Sequence, residues 1–141
     1  MLEKLKLENQ LCFKFYDISK KIIKLYKPIL EKVDLSYTQY LVMLVLWENK
    51  EMDFKTLGEK VNLKTGTLTP LLKKMEKAGL LNRIRKEDDE RKVNIKITQK
   101  GIELQKKAED IPDCILKSMN LSLEEYEILM NTLNKLSSKF E

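Results

Sequence analysis

At Gly79 the spacing of apolar residues changes from the period of a helix to that of a strand, and that change constrains the fold more than any other feature. Before it, Leu68, Leu71, Leu72 and Met75 recur every three or four positions and share one face of a helix. After it, Leu80, Asn82 and Ile84 alternate with Leu81, Arg83 and Arg85. Val93, Ile95 and Ile97 then alternate with Lys92, Asn94 and Lys96, which is the period of two strands. Residues 86–91 between the strands are all charged, so the pattern predicts a hairpin with a charged tip. Gly79 supplies the stop that a helix C-terminus favours.

The remaining segments read as helices. Leu11, Phe15, Ile18, Ile22, Leu25 and Ile29 mark one amphipathic helix over about 5–31, bent near its end by Pro28. Ser36 with Gln39 forms a capping box ahead of the apolar stretch 40–47, and Asn49 and Lys50 close that second helix. Asp53 can cap a short helix over 54–61, and a further helix begins within 65–69, with Pro70 expected in its first turn because it lacks an amide hydrogen. Thr98 caps a helix that Ile111 and Pro112 interrupt, and Ser122 with Glu125 opens the last helix, 123–139. The fold class is therefore mainly α with a small β-hairpin, in a single domain spanning 1–141.

Composition excludes more than it selects. The chain has no histidine, which removes Ser-His-Asp catalysis, an imidazole base and His-based zinc sites; no metal or cofactor is expected, and the chain does not read as an enzyme. Its two cysteines, Cys12 and Cys114, are too few and too far apart for a disulfide framework. The apolar run 40–47 is too short to cross a bilayer and the N-terminus lacks a signal-peptide layout, so a cytoplasmic location with no membrane role is expected. A net charge of +5 favours a polyanionic partner. All three arginines, Arg83, Arg85 and Arg91, fall in the hairpin, while lysine supplies the other basic residues. Arginine's planar fork suits phosphate and groove contacts, so nucleic acid is expected there.

Helix, short helix, turn, helix and hairpin in that order is the layout of a winged helix-turn-helix. Its second short helix enters the major groove of double-stranded DNA and its wing follows the backbone or minor groove. Thr65, Thr67 and Thr69 at that helix's N-terminus, with Lys73 and Lys74 one turn on, are the candidate groove contacts. On the wing, Arg91 would insert its guanidinium with Asp89 to hold it, and Arg83, Arg85 and Lys86 would grip phosphates. The plain alternative is an ordinary solvated turn, as charge runs usually are.

The stretch TGTLTPLLKKME at 65–76, AGL at 78–80, DER at 89–91 and ITQKG at 97–101 resembles the MarR family of bacterial repressors over essentially the whole chain. The resemblance implies a homodimer joined through N- and C-terminal helices (1–35 and 100–141), a DNA-binding lobe at 36–99 and a pseudopalindromic operator. Thr38, where proline is expected, and Lys64, where an acidic residue is common, depart from the family pattern.

Within that family, LCF at 11–13, YKP at 26–28 and YTQYLVMLVLWE at 37–48 are similar to the organic-hydroperoxide regulators (OhrR-like). The resemblance implies that Cys12 is a peroxide-reactive thiol and that Tyr26 and Tyr37 hydrogen-bond to it. Tyr16, one turn after Cys12, lies on the same helix face and can line the same pocket. Residues 12 and 26 are fourteen positions apart, about 21 Å along one continuous helix, so Tyr26 can reach Cys12 only from a partner chain. The reaction needs a thiolate, which phenol donors stabilise and apolar surroundings disfavour. Oxidation gives a sulfenic acid, then a disulfide with a low-molecular-weight thiol or a second cysteine, for which Cys114 is the only internal candidate. The expected function is thus a DNA-binding repressor released when an organic hydroperoxide oxidises Cys12. The alternatives are a repressor released by a small aromatic or phenolic ligand, a thiol peroxidase-like enzyme, and an adaptor that keeps the winged fold without binding DNA. A small buried hydrophobe is the plain reading of Cys12, and core packing that of 40–47.

Overall fold

The computed structural model describes residues 2–86 and 89–141, with Lys86 and 89–91 described by their backbone alone. Two compact units emerge, residues 1–25 with 111–141, and residues 26–110. The elements in chain order are α1 (Leu11–Leu30), α2 (Tyr37–Asn49), β1 (Glu51–Asp53), α3 (Phe54–Val61), α4 (Thr65–Lys77), β2 (Leu81–Lys86), β3 (Asp89–Ile97), α5 (Gln99–Ala108), α6 (Ile111–Ser118) and α7 (Leu123–Ser138).

In the larger unit, α3 and α4 form the helix-turn-helix. Asp53 caps α3 by accepting from the Thr56 amide, and Asn62 turns the chain out of it in the left-handed region at φ 55°, which asparagine tolerates better than most residues. The end of α4 is a Schellman motif: the Gly79 amide bonds Glu76 O, the Leu80 amide bonds Met75 O, and Gly79 takes φ +82°. β2 and β3 then form the wing. Leu68, Leu72 and Met75 from α4, Leu57 from α3, Met43 and Leu46 from α2, and Leu81 and Ile95 from the sheet are fully buried together. Truncating one such leucine to alanine removes about 2–5 kcal/mol.

Four sequence expectations change. The first helix begins at Leu11 rather than near residue 5, because 2–9 form two 3-10 turns and Gln10 is extended. The side-chain amides of Asn9 and Gln10 bond the carbonyls of Glu3, Lys4 and Lys6 at 2.7–2.8 Å, offering that backbone an alternative to the helix ladder. Pro70 is the sixth residue of α4, not part of its first turn. The carbonyl its ring crowds belongs to Gly66, whose absent side chain and open surroundings let the backbone adjust.

The wing carries a third strand, β1, paired antiparallel to β3 through Glu51–Lys96, Met52–Ile95 and Asp53–Asn94, so the sheet order is β1-β3-β2. A three-residue strand is too short to declare itself by alternation. The β2–β3 ladder also reaches Lys86 and Asp89, so the strands enter the segment expected to be a polar connection, with a register shift after Arg85.

In the smaller unit, α6 and α7 are separate helices. The expected Ser122–Glu125 capping box opens α7, as Ser36–Gln39 opens α2. No residue of α7 is buried in the single chain. Leu123, Ile128, Leu129, Met130 and Leu133 on it are exposed, as are Leu11, Phe15, Ile18 and Ile23 on α1. Among the described residues, no helix is long and apolar enough to cross a membrane.

Candidate nucleic-acid interface and thiol site

α4 offers an exposed polar surface along its length. Thr65, Thr67, Lys73 and Lys74 are exposed and Thr69 is half-buried, while Leu68 and Leu72 fix the helix from beneath. Lys64 precedes the helix without a side-chain capping bond, which leaves the Thr65 and Gly66 amides at its start for an anion, while the Thr67 amide donates to Lys64 O.

The wing is tied to this helix. Glu76 of α4 accepts from the Arg83 amide at 2.7 Å and from its guanidinium at 3.1 and 3.2 Å. The backbone bond from Arg83, and secondarily the guanidinium, hold the Glu76 carboxyl below its ordinary range. Arg83, expected to grip phosphate, is thus engaged within the protein, whereas Arg85 is exposed. The side chains of Lys86, Asp89 and Arg91 lie outside the described residues.

Of the expected thiol-site residues, Cys12 is exposed on α1 and belongs to the smaller unit. Burial among apolar neighbours, its plain reading, does not apply to it in the single chain. Tyr16 is exposed too, with the Lys20 ammonium 4.3 Å from its ring centre. Cys114 is half-buried on α6, where its carbonyl accepts from Ser118 Oγ at 2.9 Å.

Tyr26 and Tyr37 belong to the larger unit and come together, their ring centres 5.0 Å apart. Tyr40, read from sequence only as core, joins them: it lies 5.8 Å from Tyr26 and 6.3 Å from Trp47, edge-on. Burial, then the neighbouring Tyr40 and Tyr37 phenols, push Tyr26 up to about 12, and burial chiefly raises Tyr40 as well. Both therefore keep their protons and can donate at neutral pH. Sequence reasoning also missed Glu76 and Lys100 as anchors, since an acidic residue late in a helix and a lysine in a polar turn carry no distinguishing pattern. Among the described residues, no cluster of acidic or sulfur side chains is arranged to hold a metal ion.

An exposed helix presented by a helix-turn-helix and followed by an antiparallel wing defines a winged-helix, DNA-binding regulator of transcription, not an enzyme. The chain belongs to the SarA/Rot family of transcriptional regulators, whose model matches residues 24–108, and its fold is MarR-like. It is 47% identical over 129 residues to the organic hydroperoxide resistance transcriptional regulator of Bacillus subtilis, covering 92% of this chain and 88% of that one. It is 41% identical to the HTH-type regulator SarZ of Staphylococcus aureus, over 94% of this chain and 90% of the relative. Reduced AbfR bound to DNA superposes with a TM-score of 0.79 at 33% identity, covering 98% of this chain and 94% of that one. NadR in complex with 4-hydroxyphenylacetate superposes at 0.68 with 25% identity, covering 90% of this chain and 92% of that one.

Proposed function

We propose that this regulator is a dimeric repressor that leaves its operator when an organic hydroperoxide oxidises Cys12. The observation that carries the reading is an accessible thiol: Cys12 is exposed on α1, while within the larger unit the Tyr26 and Tyr37 rings converge at 5.0 Å and the Tyr26 phenol keeps its proton. Kinship with an organic hydroperoxide resistance regulator, and with AbfR solved both reduced and overoxidised on DNA, supports it.

In the proposed dimer, through the uncovered faces of α1 and α7, the phenols of one subunit meet the sulfur of the other. The Cys12 thiolate attacks the terminal peroxide oxygen; the O–O bond breaks, the alcohol leaves after taking a proton, and sulfur becomes a sulfenic acid. A second thiol, either a low-molecular-weight one or Cys114, then condenses with it and releases water, forming a disulfide. The new group on sulfur alters the spacing of two reading heads whose α4 helices, through Thr65, Thr67, Thr69, Lys73 and Lys74, occupy half-sites about 10 base pairs apart on a pseudopalindromic operator. Arg85, Lys86, Asp89 and Arg91 contact the flanking backbone and minor groove, and the protein works in the cytoplasm, where its DNA is.

A duplex selected in vitro with the wild-type protein supplies the test. A stoichiometric dose of cumene hydroperoxide is expected to release it from wild type and leave it bound to Cys12→Ser. Equal release from both abandons the redox reading. It then favours a repressor released by a small phenolic acid, the kind of ligand named in the NadR complex.

A further inference from the structure

We infer that Trp47 is a positioning residue for DNA reading: its indole N–H, acting through the first turn of α5, fixes the C-terminal end of α4 and joins that end to the tyrosine cluster. A buried indole N–H needs an acceptor, and this one donates to the Gly101 carbonyl at 2.8 Å. Gly101 has no room for a side chain. A Cβ there would fall on the Leu80 carbonyl oxygen and lie 2.7 Å from Ile97 Cγ1.

The same turn grips the chain just after α4. Thr98 Oγ1 donates to Gly79 O, the Thr98 amide donates to Leu80 O at 3.1 Å, and Lys100 Nζ donates to Ala78 O at 2.8 Å. Three consecutive carbonyls at the foot of α4 are therefore held by two residues of one turn, and the Lys100 ammonium sits where a helix's negative end favours it. Trp47 holds that turn from α2. Its ring meets Tyr40 edge-on, and Tyr40 meets Tyr26, so a packed series of discrete contacts runs from Tyr26 to α4 within the larger unit. Any event that repacks the phenols acts on the orientation of α4 through this series.

Packing alone does not demonstrate coupling, so the experiment measures it. It rests on α4 being the reading helix, which a Lys73→Ala/Lys74→Ala control checks by weakening binding to the selected duplex. Trp47→Phe keeps a ring and deletes the donor; Lys100→Met alters an exposed side chain, and unchanged helical circular dichroism of each checks that it folds. Each is expected to weaken DNA binding about fivefold, the loss of one charge-assisted or buried bond. Because both act through one clamp, the double variant is expected to lose no more than about twofold beyond either single.

Tyr26→Leu, which removes the far end of the series, is likewise expected to be non-additive with Lys100→Met, although the two residues share no contact. Trp47 is the sole tryptophan, so its emission reports the site without a label. Its spectrum is expected to shift when the duplex binds wild type and to stay fixed when it binds Lys100→Met. Losses that multiply, or single variants that bind as wild type does, overturn the inference while the control still binds weakly. A control that binds normally removes α4 as the reading helix and overturns both.

Discussion

At the scale of single residues, the phenols carry the clearest chemical signature. Tyr26 sits well above the ordinary phenol range because burial and two phenolic neighbours disfavour its anion. A group whose folded pKa is raised stabilises the protein fully below its unfolded pKa of about 10, and that contribution is lost as pH climbs toward about 12. Absorbance titration at 295 nm is expected to show a late phenol step near 12 that Tyr26→Phe abolishes, together with a shallower alkaline fall in its stability. A Tyr26→Phe titration that retains the late step would assign it elsewhere. Cys12, Tyr26 and Tyr37 stand out as a set only through family likeness, because residues fourteen or more positions apart leave no periodic trace. Tyr40 escaped notice since its position inside an apolar run is explained equally well by packing.

At the scale of elements, the sequence exposed α2, α3, α4, α5 and both long strands of the larger unit, because capping residues and a change of period are local signals. It missed β1 and misplaced the start of α1, where side-chain bonds to the backbone overrode the apolar pattern. The Glu76–Arg83 bridge is a further element-level property that no local pattern encodes, for it joins a helix to a strand seven residues on. Its carboxyl is depressed, so its contribution is present above the unfolded pKa of about 4.5 and disappears as pH falls through the folded value. Glu76→Gln is expected to reduce stability by about 1 kcal/mol at neutral pH, discounted for its partial exposure, and to flatten the acid limb of the stability curve. It also frees the Arg83 guanidinium, so the salt dependence of DNA binding should steepen. Denaturant midpoints from pH 3 to 7 and a salt titration check both, and an unchanged acid limb would deny the bridge any structural weight.

At the scale of the whole molecule, the single chain leaves α7 with no buried residue and α1 with a row of exposed aliphatic groups. In the proposed dimer these apolar faces are the ones that a second copy would cover. Sedimentation is expected to give the dimer mass, and Leu129→Lys with Leu133→Lys, one turn apart on α7, is expected to weaken association by at least about tenfold without loss of helical circular dichroism. Unaltered sedimentation of that variant would exclude this face. Should α7 be covered only by its twin, gene control acquires a dosage threshold: in dilute cells the operator-competent species falls with the square of the amount of chain made, and repression then lapses abruptly as synthesis slows.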